Sequence, residues 1–156
     1  MRAARMLVLV ILAVLATGCS LFGIDYRVAE SKINARMDAM EAAVASGEWN
    51  GFASHLKVYS GGHAWDVVDE AGNQDPDARQ GWHSALDVAH YLRDGLAAET
   101  ISFSTRSFSH YRDETVVRGR FEMVDVLGTH RDAQYTAYFS RRSDYRMFHL
   151  KLYFNQ

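Results

Sequence analysis

The chain has 156 residues, with 17 Lys and Arg against 19 Asp and Glu and a formal net charge of −2. It contains no block of basic residues, so we expect no nucleic-acid partner. The single cysteine excludes an internal disulfide, so packing alone must stabilise the fold in an oxidising compartment. The length is sufficient for one domain with a hydrophobic core.

The first residues have the pattern of a secretory leader. Arg2 and Arg5 precede an uncharged apolar run from Met6 to Ala16. A membrane-spanning helix needs roughly 20 residues, so this run is too short to cross a bilayer. A basic start, a short apolar run and small residues after it indicate a segment that is removed during export.

The end of this leader resembles the lipobox of bacterial lipoproteins, carried by Leu15-Ala16-Thr17-Gly18-Cys19. The resemblance implies cleavage between Gly18 and Cys19 and attachment of acyl chains to Cys19. Residues 1–18 would then be a removed signal peptide, and residues 19–25 a lipidated cysteine with a short tether. Several acyl chains give stable membrane anchoring, whereas a single chain does not. The alternative is an ordinary signal peptide in which Cys19 has no role.

The lipoprotein resemblance also implies a location in the cell envelope. In Gram-negative lipoproteins the residue after the cysteine influences sorting, and Ser20 is of the type found in outer-membrane lipoproteins. We therefore expect a domain held at the outer membrane and facing the periplasm, if the organism is Gram-negative.

Helices are predicted in the first half of the remaining chain. Asp25 is a suitable N-cap, and Ser46-Gly47 a suitable stop, for a first helix. Apolar or small residues recur on one face of this helix at Tyr26, Ala29, Ile33, Met37, Met40 and Val44. A shorter helix follows, with Trp49, Phe52, Ala53 and Leu56 on one face. A third is predicted from Ser84 to about Leu96, with Leu86, Ala89 and Leu92 on its apolar face.

Strands are predicted in the second half, where the apolar period changes to two. A short strand is also expected earlier, at Ala64–Val68, before a polar loop at Glu70–Gly81. The alternating apolar residues are Ile101, Phe103, Thr105, Phe108 and His110; Thr115, Val117, Gly119, Phe121 and Met123; Tyr135, Ala137 and Phe139; and Phe148, Leu150, Leu152 and Phe154. Short polar connections between these four strands predict an antiparallel meander. Helices followed by such a sheet define an α+β domain.

This element order resembles the NTF2-like, or SnoaL-like, fold. The resemblance is carried by EAAVASGEWNGFASHL, WHSALDVAHYLRDGL and DYRMFHLKLYF. It implies one domain over residues 26–156, a cone-shaped roll with N-terminal helices packed on a curved antiparallel sheet. Tyr145 departs from the family pattern, in which a Trp is usual.

The resemblance implies a pocket between the helices and the concave face of the sheet. Its predicted lining is Met37, Met40, Trp49 and Phe52, although a Met stripe on a helix is more commonly core. An enzyme would also need a desolvated carboxylate and an oxyanion donor. The candidates are Asp66 and Asp125 as the carboxylate, and Tyr26 and Tyr59 as the donor. The alternative is that each Asp faces solvent on an alternating strand.

The sequence predicts neither a metal site nor a cofactor. His83 and His90, and His55 and His63, lack the spacing of a ligand set, and no HExxH motif occurs. His149 and Lys151 are predicted to share the outer sheet face with Arg118, Arg120 and Glu122. That face is expected to be solvated or to contact a second subunit.

These patterns predict a lipid-anchored envelope protein whose domain binds a small hydrophobic ligand or a protein partner. A homodimer through the sheet and an assembly role in an envelope complex are further expectations. The alternative function is that of an enzyme similar to SnoaL or ketosteroid isomerase, with a pocket carboxylate acting on a small hydrophobic substrate.

Overall fold

The computed structural model describes residues 25–57, 65–68 and 85–154, of which residues 65–68 are described by their backbone only. The helices are α1 (Tyr26–Ala45), α2 (Trp49–Ser54) and α3 (Ala85–His90), and a π-helical turn, Tyr91–Gly95, continues α3. The strands are β1 (Trp65–Val68), β2 (Ala98–His110), β3 (Glu114–Asp125), β4 (His130–Ser140) and β5 (Arg146–Phe154). A 3₁₀ turn, Arg141–Ser143, connects the last two strands.

The five strands form one sheet in the order β1-β5-β4-β3-β2. Strands β2 to β5 are antiparallel neighbours, which confirms the predicted meander, and β1 adds a parallel strand beside β5. Helix α1 packs on β2, and α2 packs on both α1 and α3. The architecture is therefore the predicted α+β roll of helices on a curved sheet.

Helix α1 forms as the apolar spacing predicts. The Asp25 carboxylate accepts a hydrogen bond from the backbone N–H of Arg27 at 3.0 Å, and Gly47 ends the helix region with φ +73°. The buried residues are Ala29, Ile33, Met37, Met40 and Val44. Tyr26 departs from the predicted face, because 48% of its surface is exposed. The buried stripe fixes α1 against the sheet through the hydrophobic effect.

A bulge in β2 corrects the predicted alternation of that strand. The β2–β3 register shifts between Ser104 and Ser107, and Thr105 takes a left-handed φ of +53°. Thr105 is therefore exposed instead of facing the core. Opposite the bulge, a Cβ on Gly119 would lie 2.2 Å from the carbonyl oxygen of Ser104. Only glycine fits there, because the backbone of β2 folds directly over this position.

A second bulge corrects the start of β5. Tyr138 pairs with His149 but Phe139 pairs with Met147, so one extra residue lies between these pairs. The bulge turns Met147 fully into the core, a position that the alternation had assigned to Phe148. From Leu150 onward the predicted alternation holds, with Leu150 and Leu152 completely buried.

The third helix also differs from its prediction. It ends in a π-helical turn, and its buried residues are Val88, Ala89 and Leu92. Leu86 was predicted to face the core but is 44% exposed. Ala89 and Leu92 are buried as predicted, and Val88 takes the place expected for Leu86.

Several expectations fall on residues outside the described ranges. These are the leader, Gly18, Cys19 and the tether up to residue 24, as well as Tyr59, Ser84 and the loop at 70–81. Within the ranges that the structure describes, no helix is both long and apolar enough to span a bilayer.

Candidate functional site

A concave pocket on the surface lies where α1, the residue after α2 and the β4–β5 turn meet. The segment after α2 runs beside β5: the N–H of Lys57 donates to the carbonyl of Met147 at 2.8 Å, and the N–H of Met147 donates to the carbonyl of His55 at 3.1 Å. These bonds bring His55 to the β4–β5 turn. The resulting pocket has a volume of about 270 Å³ and is lined by Lys32, Ala35, Arg36, His55 and Asp144.

Asp144 is bound by two cations of α1. Arg36 donates from Nη2 to the backbone carbonyl of Asp144 at 2.7 Å and to its carboxylate at 3.3 Å. Lys32 donates from Nζ to the same carboxylate at 3.1 Å. Lys32 and Arg36 are one helical turn apart, so both side chains reach the same turn of the sheet.

The tautomer of His55 follows from its contact with Arg36. Arg36 Nη1 lies 3.2 Å from His55 Nδ1. A guanidinium can only donate hydrogen bonds, so Nδ1 accepts and the imidazole proton is on Nε2. Burial, followed by the charges of Arg36 and Arg146, lowers the pKa of His55. The imidazole is therefore neutral at pH 7.

The pocket contains more positive than negative charge. The Lys32 hydrogen bond, together with the charges of Lys32, Arg36 and Arg146, lowers the pKa of Asp144. Burial is the main cause that lowers the pKa of Arg36, opposed by Asp144 and reinforced by Arg146. Two cations, Lys32 and Arg36, therefore contact the single carboxylate of the pocket.

The β4–β5 turn is conformationally strained. Asp144 and Tyr145 have φ values of +50° and +56°, a left-handed conformation that tyrosine adopts rarely. The N–H of Tyr145 donates to Ser140, and Lys57 hydrogen-bonds to Ser143. The Lys32 ammonium also lies 5.8 Å from the centre of the Tyr145 ring. Contacts with α1 and with the segment after α2 thus stabilise an unfavourable backbone, as is common at functional sites.

The four residues predicted to line an interior pocket belong to the hydrophobic core or pack against it. Met37, Met40 and Phe52 are fully buried in the core, and Trp49 is half-buried with its ring edge-on to Phe52 at 6.3 Å. Met37 and Met40 therefore have the more common role of a Met stripe on a helix, which is to form part of the core. Whether these residues also contact a ligand stays a prediction.

The candidate catalytic residues do not come together among the described residues. The Asp125 carboxylate accepts hydrogen bonds from the N–H groups of Leu127 and Thr129, both at 2.9 Å. The bond from Thr129 is the largest cause that lowers the pKa of Asp125, opposite to the shift that a general base near neutrality needs. Asp125 therefore rigidifies the β3–β4 hairpin, whose tip exposes Val126 and Leu127.

Tyr26 lies at the other end of the sheet from Asp125. Its ring stacks on His110 at 4.3 Å, whereas Asp125 pairs with Ala98 at the far end of β2. Asp66 in β1 pairs with Lys151 of β5. The Asp66 side chain and the whole of Tyr59 lie outside the described residues.

A second polar cluster was missed by the sequence analysis. Arg106 lies in the β2 bulge and is directed to α1, where it contacts Asp38 at 2.7 Å and Glu41 at 3.1 Å. It also donates to Asn34 at 3.0 Å and to the carbonyl of Phe103 at 2.8 Å. These contacts hold α1 against the sheet, so the role of Arg106 is structural.

The pocket residues Lys32, Arg36 and Asp144 also escaped the sequence analysis, because cations on an amphipathic helix ordinarily face solvent. The available signal was their spacing of four residues, which puts both cations on one helical face. Within residues 25–57 and 85–154, no cluster of three or more His, Cys, Asp or Glu side chains is placed to hold a metal ion.

No family model and no curated protein matches the sequence. The fold is nevertheless the NTF2-like fold, because solved structures of that kind superpose over most of the chain. An NTF2-like protein with a cystatin-like fold from Novosphingobium aromaticivorans has a TM-score of 0.58 at 12% identity, covering 85% of this chain and 92% of that one.

Two further structures carry different functional names. A proposed Ca/calmodulin-dependent kinase II association domain from Exiguobacterium sibiricum has a TM-score of 0.59 at 8% identity, covering 86% of this chain and 98% of that one. A proposed isomerase from Bacillus subtilis has a TM-score of 0.52 at 11% identity, covering 80% and 87%. Such different names on one fold mean that the fold alone does not select a function.

Proposed function

We propose that this protein is a lipid-anchored envelope protein whose NTF2-like domain is a binding module. The observation that carries the binding role is the contrast between an apolar core and a concave, positively charged pocket on the surface. Met37, Met40 and Phe52 are completely buried in the core, whereas Lys32 and Arg36 line an open pocket. This contrast favours a partner that docks on the surface over a hydrophobic molecule enclosed by these residues.

The lipid anchor is supported by the leader and by the position of Cys19. Only residues 20–24 separate Cys19 from Asp25, the N-cap of α1. An extended chain spans at most about 3.5 Å per residue, so the domain would lie within roughly 20 Å of the membrane surface. The outer membrane, with the domain in the periplasm, is the location that Ser20 favours in a Gram-negative host.

Replacing Cys19 tests the anchor directly. In the producing organism, Cys19→Ser should release the protein from the membrane fraction or leave its precursor uncleaved. Ser20→Ala is the matched control and should stay in the membrane fraction. If Cys19→Ser were processed normally and stayed membrane-bound, the lipid anchor would be excluded.

Native mass spectrometry of residues 20–156, recovered from the natural host, tests what the domain binds. A reproducible protein partner would support surface docking. A retained hydrophobic small molecule would instead support the interior pocket expected from the fold resemblance, and would contradict docking on the surface.

A homodimer through the outer face of the sheet is also proposed. On that face the ring of Tyr138 lies 6.0 Å from Phe148 and 5.3 Å from His149, giving an aromatic cluster on the side of the sheet opposite the helices. We expect Tyr138→Lys to convert a dimer to a monomer in light scattering. A monomeric wild-type protein at tens of micromolar would exclude this dimer.

The enzyme alternative now depends on Asp66 and Tyr59. Asp125 and Tyr26 lie at opposite ends of the sheet, and the pKa of Asp125 is lowered. An Asp66→Asn variant that lost turnover of a hydrophobic ketone or lactone, while keeping its fold, would support this alternative.

A further inference from the structure

We propose that the pocket between α1 and the β4–β5 turn binds the carboxylate of a ligand, and that Asp144 is an internal occupant which this carboxylate displaces. The inference rests on the proposed binding role and names the chemical group that the pocket recognises. Its first support is the charge balance of the pocket lining, since two cations, Lys32 and Arg36, contact a single carboxylate.

The second support is the incomplete use of the Arg36 guanidinium. Its Nη2 is 3.3 Å from the Asp144 carboxylate, which is long for a charge-assisted hydrogen bond. Its Nε is buried and has no acceptor among the described residues. Arginine forms its strongest carboxylate pairs with two parallel bonds, so this guanidinium retains hydrogen-bonding capacity that Asp144 does not satisfy.

The third support is that Asp144 can leave easily. Its side chain is 71% exposed, so release into water requires little new solvation. Its backbone and that of Tyr145 are left-handed, a conformation that the contacts with α1 help to stabilise. A ligand carboxylate that replaced Asp144 on Lys32 and Arg36 would leave the turn free to relax.

The size of the pocket and the neutral imidazole of His55 also suit a small acid or the end of a peptide. Its volume of about 270 Å³ exceeds what one carboxylate requires. His55 also lines the pocket, with its Nδ1 directed at Arg36 and its proton on Nε2.

The test uses the full-length protein, purified from whichever fraction of its host contains it, and sodium succinate as the probe. Thermal shift and calorimetry are compared with sodium chloride at equal ionic strength and with inorganic phosphate. Succinate should stabilise the protein more than chloride does. A response equal to that of chloride, or a stronger response to phosphate than to succinate, would overturn the assignment.

Asp144→Asn is the decisive variant. It removes the competing charge, and asparagine tolerates the left-handed conformation, so the turn should be retained. We expect its affinity for succinate to rise at least about fivefold, the effect of removing one nearby charge at a solvated site. The matched control is Asp132→Asn, which removes an exposed carboxylate paired with Arg120 at 2.9 Å and should leave the affinity unchanged.

Lys32→Met completes the test, because Lys32 is half-exposed and its loss should not unfold the domain. It should weaken succinate binding in the Asp144→Asn background. If Asp144→Asn and Asp132→Asn behaved alike, Asp144 would have no role as an internal occupant. Neither result depends on membrane anchoring, so failure of this inference is distinguishable from failure of the Cys19 test.

Discussion

Gly119→Ala provides a sharp test of the β2 bulge. The added Cβ would lie 2.2 Å from the carbonyl oxygen of Ser104 and 2.9 Å from that of Thr105, both of them backbone atoms. It would also lie 2.8 Å from the ring of Tyr135, which is itself packed in the core. The closest of these atoms belong to the backbone and cannot rotate aside, so the two strands must separate by more than an ångström, the gap between this distance and an ordinary van der Waals contact.

Overpacking of this kind destabilises proteins by about 1–3 kcal/mol, and the backbone contact places Gly119→Ala at the upper end of that range. A loss of about 3 kcal/mol corresponds to a fall in melting temperature of roughly 10 °C for a domain of this size. Urea denaturation and calorimetry of residues 20–156 measure both quantities. A stability within about 0.5 kcal/mol of wild type would refute the close approach of β2 to Gly119.

Gly51→Ala is the matched control, because it makes the same chemical change where space exists. Its nearest neighbours would be Ala43 Cβ and Glu48 Cβ, both at 3.7 Å, and Gly51 lies within α2. Alanine is favoured over glycine in a helix by about 0.5–1 kcal/mol, so this variant should be more stable than wild type. The two substitutions should therefore change the free energy of unfolding in opposite directions.

Three further predictions concern buried polar groups. Arg106→Ala should lower the free energy of unfolding by about 2 kcal/mol, because it leaves Glu41 without its cation. Arg106→Lys should recover only part of this loss. Denaturant titration measures both changes. Tyr135→Phe should leave the free energy of unfolding unchanged or raise it by up to about 1 kcal/mol. The reason is that the buried hydroxyl has no hydrogen-bond partner among the described residues, and burial raises the pKa of Tyr135. A clear loss of stability would show that the hydroxyl is hydrogen-bonded. The pKa of His55 is lowered in the folded state, so its contribution to stability is present above the unfolded pKa of about 6.5 and is lost as the pH falls toward the folded value. Denaturation between pH 7 and pH 5 should thus be less pH-dependent in His55→Gln, and an unchanged profile would contradict the assignment.

The sequence was most informative where one period runs without interruption. The spacing from Ala29 to Val44 identified every buried residue of α1, and the Asp25 cap was correct. Strands β2 to β5 were likewise predicted in order and type. These elements obey local rules, in which apolar periodicity and capping depend on residues that are close in sequence.

The errors occur where tertiary contacts override the period. The bulge at Thr105 depends on Gly119, a residue in the neighbouring strand, and the bulge that buries Met147 depends on the pairing with Phe139. The pocket was missed for the same reason. Its cations Lys32 and Arg36 have the pattern of a solvated helix face, and only the folded turn brings Asp144, more than a hundred positions later, against them.

The position of β5 in the sheet has a consequence for how the chain reaches its fold. This strand is formed by residues near the end of the chain, yet it lies between β4 and β1 and also pairs with the segment after α2. During synthesis or export from the N-terminus, β1 therefore has no strand to pair with until Arg146–Phe154 emerges. A chain that stops before Arg146 would leave two unpaired strand edges, which are sites of aggregation. The pairing of β5 with both β4 and β1 should thus come late in folding, and this long-range closure should be a slow step.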